Sequence, residues 1–229
     1  ILIQTPDGRS LLMNGGSSPS LLSDGLGRRL PPGNRRLDFL IVAGIEDEQI
    51  GSLARVLERY PAEQVLWAGK SGGTRSAREL EGYLAGEGVP VVPAQDGQVI
   101  DLGQGAWLEV VSANQRGAAL LVAWQDFRAW LPVSLDRETL ETLQSDPRMG
   151  RMSTVLLTGG GYAPLNPAGL LQKYQPQVFL LSVAAGDRRG LPDAEVIDAL
   201  EGYTLLRTDQ DGWIELATDG RQMWVTAGK

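Results

Sequence analysis

Strand-like and helix-like spacings take turns along this chain, and at both ends the exchange gives way to strand pairs joined by tight turns. Such an order restricts the fold strongly, because it dictates which elements can be neighbours. Alternation of apolar and polar residues predicts strands over 1–5, 10–13, 37–43, 64–68, 89–94, 107–113, 118–124, 129–133, 154–158 and 178–183, with a closing trio over 204–208, 213–217 and 222–226. These runs are rich in Val, Leu, Ile and Trp and are bounded by glycine signals. Pro6-Asp7-Gly8, Asp211-Gly212 and Asp219-Gly220 read as hairpin turns, since glycine accepts the positive φ that such turns need. Helical spacing appears over 18–30, 46–60, 74–85, 136–143, 167–174 and 193–200. The first of these opens with Ser-Pro, a capping hydroxyl followed by the residue best suited to a first helical position.

Hairpins at the ends and strand–helix alternation between them predict an α/β (α+β layered) chain: two sheets covered by helices. A single doubly wound parallel sheet is the alternative, and the terminal hairpins count against it. No linker rich in Pro, Gly or Ser and no fixed-period repeat divides the sequence, so residues 1–229 are read as one domain. Hydrophobic residues make up 42% of the chain, enough for a sizeable core. No apolar run approaches the ~20 residues needed to cross a bilayer. Because Ile1 already lies inside a strand pattern, the chain is expected to be an excised piece of a longer protein.

The composition restricts chemistry more sharply. The chain has 0 Cys and 0 His, which removes disulfides, thiolate nucleophiles and imidazole in every role. A formal net charge of −7 weighs against tight non-specific binding to a phosphate backbone. Against that mean stand Arg28, Arg29, Arg35 and Arg36, and later Arg188 and Arg189, the candidate phosphate contacts; the alternative is a solvated face or pairing with acids. The tryptophans lie mostly within strand segments, as core aromatics would, with stacking on bases as the other reading.

The segments ILIQTPDGRSLLMNGG, LGRRLPPGNRRLDFLIVAGIEDEQIGSL, QVIDLGQGAWLEVVSA, LSVAAGDRRGLPDAEVIDAL and YTLLRTDQDGWIEL occur in that order. In that order the chain resembles the metallo-β-lactamase-like domain of the ComEC family, the DNA-internalisation channels of bacterial competence. The resemblance implies an αββα sandwich, two mixed sheets face to face with helices outside, and a site where loops converge at the sheet edges. It also shows what has gone. The family's aspartate before two glycines falls on Asn14. The four ligand positions of its His-x-His-x-Asp-His motif fall on Gly44, Glu46, Glu48 and Gln49. A bridging aspartate falls near Ser134, and a histidine pair on Gly159 and Gly160. The final His-Pro-His becomes Leu191, Pro192 and Asp193.

Catalytic zinc needs three or more His, Asp, Glu or Cys ligands and an open position, where it lowers the pKa of bound water to about 7. Glycines at three of these positions offer no side chain. Ser134 has no histidine to activate it as a nucleophile. The acids Glu46, Asp47 and Glu48 admit two readings: oxygen ligands for a hard cation such as Mg²⁺ or Mn²⁺, or acids at the positive end of a helix. Consecutive helical residues point about 100° apart, from 3.6 residues per turn, so all three cannot meet one ion without unwinding the turn. GGTRSAR and TGGGYAP are glycine-rich, yet neither fits G-x-x-x-x-G-K-[ST].

Two functions follow. The first is a non-catalytic domain with no metal or cofactor, resembling the soluble part of a competence channel. It would serve as scaffold or partner-binding surface, or weakly guide single-stranded DNA, beside other domains of a membrane channel on the extracytoplasmic face of the cytoplasmic membrane. The second is a nuclease or phosphodiesterase with a rebuilt oxygen-ligand site around Glu46, Glu48 and Asp193.

Overall fold

The structure is a computed structural model that describes residues 1–228. Its elements fall into two compact units. The first unit comprises Ile1–Gln98 with Leu102–Gln104 and Val110–Ala118; the second comprises Val99–Asp101, Gly105–Glu109 and the chain from Ala119.

In the first unit the order is β1 (Leu2–Gln4), β2 (Ser10–Met13), α1 (Pro19–Arg29), β3 (Leu37–Val42), α2 (Asp47–Ile50), α3 (Leu53–Leu57), β4 (Ala62–Trp67), α4 (Arg75–Gly86) and β5 (Val91–Pro93). Strands β1 to β5 form one sheet in sequence order. The Pro6-Asp7-Gly8 turn closes β1 against β2 antiparallel, pairing Ile3 with Leu11. Each later neighbour is reached through helical structure or a longer crossover and so is parallel, for example Leu12 beside Leu40 and Leu40 beside Val65. Leu40, Val42, Val65, Ile50, Leu53, Val56 and Leu80 bury a common core between this sheet and its helices. Helix starts follow the expected capping chemistry: Ser18 Oγ accepts from Leu21 N–H at 3.4 Å, and Thr74 Oγ1 from Ala77 N–H at 3.1 Å.

The predicted helix over 46–60 is two short helices. Ser52 breaks it: its N–H turns to the Gly16 carbonyl at 3.0 Å, and its hydroxyl donates to the Gly15 carbonyl at 3.0 Å. A buried serine thus ties the break to the loop after β2 and removes one donor from the helical ladder.

Further along lie β6 (Val99–Gly103), β7 (Ala106–Ala113), β8 (Ala118–Trp124), β9 (Phe127–Pro132), α5 (Arg137–Gln144), β10 (Thr154–Leu156), α6 (Ala168–Tyr174), β11 (Val178–Leu181), α7 (Ala194–Ala199), β12 (Leu205–Arg207), α8 (Thr208–Asp211), β13 (Trp213–Thr218) and β14 (Met223–Gly228). A seven-stranded sheet runs β12-β11-β10-β9-β8-β7-β6. It is mixed: β8 and β9 are antiparallel, while β9, β10, β11 and β12 are mutually parallel. The sequence reading missed β6, whose exposed Val99 and Asp101 give no clear alternation.

Asp211-Gly212 is not a hairpin turn. Strand β12 pairs with β11, and the chain then makes the short α8 corner before entering a separate two-stranded ribbon, β13–β14. Side chains fix that corner. Asp211 Oδ2 accepts from Arg207 N–H at 2.8 Å, and the Thr208 hydroxyl donates to the Val183 carbonyl at 2.8 Å. Asp219-Gly220 does turn a hairpin, the one that joins β13 to β14. Its register places Trp213 and Trp224 on the same face, where they are 41% and 51% exposed. Trp67 and Trp130 are buried as core aromatics; these two are not. Among the described residues no helix is long and apolar enough to cross a membrane.

Candidate functional site

Parallel strands end together, so the loops after β2 and β3 in the first unit leave the sheet side by side. Asn14 follows β2 in the left-handed conformation, with φ of 51°. Its N–H donates to the Ile41 carbonyl and its Oδ1 accepts from Ala43 N–H, both at 2.9 Å. The amide is buried and committed to backbone, where it fastens the end of β2 to the end of β3. Gly44 forms an isolated antiparallel bridge with Gly117, supported by Ala118 N–H donating to the Ala43 carbonyl at 2.8 Å. Ile45 is buried beside it, and a Cβ at Gly69 or Gly73 would lie 2.7 Å from Ile45 side-chain carbons. An isoleucine side chain fills that space.

The acids that follow do not converge. Glu46, Asp47 and Glu48 are all exposed. Asp47 Oδ1 accepts from Ser76 N–H at 3.0 Å, in the first turn of α4. That backbone hydrogen bond, helped by the Ser76 hydroxyl, holds the Asp47 carboxyl below the usual carboxylate range. Gln49 works through two groups: its Oε1 accepts from Glu46 N–H at 3.3 Å, and its carbonyl accepts from Gly15 and Gly16 N–H at 2.8 Å. Among the described residues no three Asp or Glu side chains are grouped so as to hold a metal ion.

The later positions lie in the second unit. Ser134 is half-buried after β9. Gly159, Gly160 and Gly161 are consecutive left-handed residues, with φ of 59°, 70° and 84°. A Cβ at Gly160 would meet Leu191 Cδ1 at 3.3 Å, and one at Gly161 would meet Pro192 Cβ at 2.6 Å. Asp193 Oδ2 accepts from Ala163 N–H at 2.7 Å, and its own N–H donates to the Gly161 carbonyl at 3.1 Å. The Gly159–Gly161 loop and the segment from Leu191 to Asp193, distant in sequence, therefore do converge, through carbon packing and backbone hydrogen bonds.

The residue organising this loop escaped the sequence reading. Buried Asn166 accepts from Thr158 N–H at 2.9 Å and donates to the Thr158 and Tyr162 carbonyls at 2.9 and 2.8 Å. An asparagine after a Gly-rich, Pro-containing run was its only signal.

The candidate phosphate arginines separate in the structure. Arg28 pairs with Asp24 at 2.9 Å, Arg36 with Glu63 at 3.3 Å and Arg189 with Asp187 at 3.7 Å. Arg29 lies in the last turn of α1, where its carbonyl accepts from Gln4 Nε2 at 3.1 Å, and Arg188 is exposed beside Arg189. Arg35 lines a cleft with Arg55 and Arg59.

The donor set does not fit a dizinc centre. Gly44, Gly159 and Gly160 carry no side-chain ligand atom, Leu191 is aliphatic, and Asn14 Oδ1 and Asp193 Oδ2 accept from backbone N–H groups.

No protein-family model and no curated protein sequence matches the chain. Solved structures do. Zn²⁺-bound PqqB from Methylobacterium extorquens matches with a TM-score of 0.56 at 11% identity, over 90% of this chain and 82% of that one. A metallo-β-lactamase from Cronobacter sakazakii matches with a TM-score of 0.50 at 18% identity, over 76% and 82%. CmlA, a diiron β-hydroxylase from Streptomyces venezuelae, matches with a TM-score of 0.50 at 15% identity, over 79% of this chain. The chain spans 44% of the length of CmlA. With two large mixed sheets flanked by helices and these neighbours, the chain has the metallo-β-lactamase fold.

Proposed function

We propose that the chain is a single, non-catalytic metallo-β-lactamase-like domain of the competence-channel type. In this reading it acts as a scaffold or partner-binding surface beside other domains of a membrane channel, with at most weak guidance of single-stranded DNA. The carrying observation is that several ligand positions implied by the resemblance hold structural work or no side chain at all. Asn14 and Asp193 tie loops by accepting from backbone N–H groups, and Gly44 pairs with Gly117. Such a fold can persist without metal because its stability comes from burying the faces of large sheets.

Thermal unfolding in EDTA, Zn²⁺, Mg²⁺ and Mn²⁺ tests this reading, together with turnover of single-stranded DNA and bis-p-nitrophenyl phosphate in each metal. The expected result is one melting temperature throughout and no turnover. A rise of several degrees with stoichiometric metal, or turnover abolished by Glu46→Ala, would instead establish a rebuilt carboxylate site and a metal-dependent hydrolase.

A further inference from the structure

A cleft of about 770 Å³ opens in the first unit between α1 and the chain through and just beyond α3. Ser20 and Ser23 line it from α1, Arg35 from the segment before β3, and Arg55, Glu58 and Arg59 from the other wall. The spacings explain the grouping. Residues three and four apart share a helix face, so Ser20 and Ser23 look one way, and Arg55, Glu58 and Arg59 look one way.

The walls are tied together from below. Tyr60 is buried, its hydroxyl donates to the Ser23 carbonyl at 3.4 Å, and the Arg59 guanidinium sits 5.3 Å from its ring centroid. A Cβ at Gly27 would come within 3.3 Å of the same hydroxyl, so α1 approaches closely there.

The charge in this cleft is uncompensated. Some arginines elsewhere meet acids, among them Arg28 with Asp24, Arg75 with Glu79, Arg137 with Glu141 and Arg207 with Asp209, all within 3.0 Å. Among the described residues Arg35, Arg55 and Arg59 have no ion pair, although Glu58 stands among them and the chain has 28 acidic residues. Three arginines and one glutamate line the cleft, a formal excess of positive charge that favours an arriving anion. Guanidinium forks match phosphate oxygens two at a time, and serine hydroxyls add single donors. The first half of α1 adds the positive end of an 11-residue helix.

We propose that this cleft is a phosphate-binding site, taking phosphate as a free anion or as part of a phosphodiester strand. The assignment stands on the first unit alone and holds whether or not the chain proves catalytic.

Two probes decide it with the whole chain: inorganic pyrophosphate by calorimetry, and a fluorescein-labelled oligothymidylate by anisotropy between 50 and 200 mM NaCl (roughly the range over which counterion release is read). The triple variant Arg35→Gln, Arg55→Gln, Arg59→Gln should weaken the bound probe at least ~10-fold. If the strand is the ligand, its log–log salt slope should flatten by about 2, from ~0.7 per lost phosphate contact. Arg28→Gln, already paired, should change binding less than about twofold. Lysine at the three positions should restore the salt slope but only part of the affinity, because charge returns without the fork. An unchanged melting temperature in the triple variant shows that the fold survives. Pyrophosphate displacing the strand identifies a free phosphate site; strand binding that pyrophosphate cannot displace identifies a phosphodiester site. Wild-type protein that binds neither probe, or a triple variant that binds like wild type, overturns the proposal.

Discussion

Asn14 carries two separable burdens, and substitution should reveal both. It accepts from the N–H of fully buried Ala43, and it holds φ at 51°, a conformation that asparagine tolerates better than most residues. Asn14→Gly removes the first contribution only. A buried N–H left without a partner costs about 1–3 kcal/mol, and glycine adopts the left-handed conformation without strain. Asn14→Ala removes the hydrogen bond and adds the left-handed penalty of about 1–2 kcal/mol, for a total of about 2–5 kcal/mol. For a chain of this length 1 kcal/mol shifts the melting temperature by about 2–4 °C, so alanine should melt roughly 4–20 °C lower, with glycine between alanine and wild type. Circular dichroism melts of the three proteins in EDTA, repeated with Zn²⁺, make the measurement. If alanine and glycine melt together at the wild-type temperature, the amide does not fasten β2 to β3. If the losses appear only when metal is present, Asn14 is a ligand rather than a fastener.

Gly161→Ala should destabilise by about 2–5 kcal/mol in urea titrations, combining left-handed strain with a Cβ 2.6 Å from Pro192 Cβ; Gly169→Ala, in α6 with no heavy atom within 4 Å of the new Cβ, serves as the tolerant control. Tyr174 is buried with a hydroxyl that has no partner among the described residues, and burial pushes its pKa up to about 12. A raised folded-state pKa means stability that is whole below the unfolded value near ~10 and lost as pH climbs through about 12. Tyr174→Phe should therefore flatten the alkaline arm of a stability–pH curve and leave neutral stability unchanged or raised by about 1 kcal/mol. At the acid end, Asp146 is held below the usual carboxylate range by the Arg148 side chain, and Asp209 likewise by Arg207. Their contribution is present above the unfolded value of about 3.9 and is lost as pH falls through the depressed ones, so Asp146→Asn should shallow the melting-temperature decline below pH ~4.

Much of this architecture was legible because periodicity and turn chemistry report on local geometry. The strands over 10–13 and 118–124 match their predicted bounds, and the Ser18-Pro19 start marks the first long helix. What escaped was decided by distant partners. Nothing local to Ser52 announces that its N–H will face Gly16, and nothing in Asp211-Gly212 announces that β12 will pair with β11 rather than β13. The tryptophans misled for a related reason: period-two alternation says that two faces exist, not that both are covered. At the site, the sequence showed where side chains are missing. It could not show that Asp47 grips the start of α4, or that Asn166 gathers three backbone groups of its loop.

The left-handed run at Gly159–Gly161 also bears on what this loop can carry. An imidazole introduced at 159 or 160 would arrive on a backbone that resists any side chain, pressed against Leu165 or Leu191, before it met a cation or a companion donor. Any side chain placed there would have to strain the backbone and displace a leucine, so glycine at these positions is what lets the loop pack as tightly as it does.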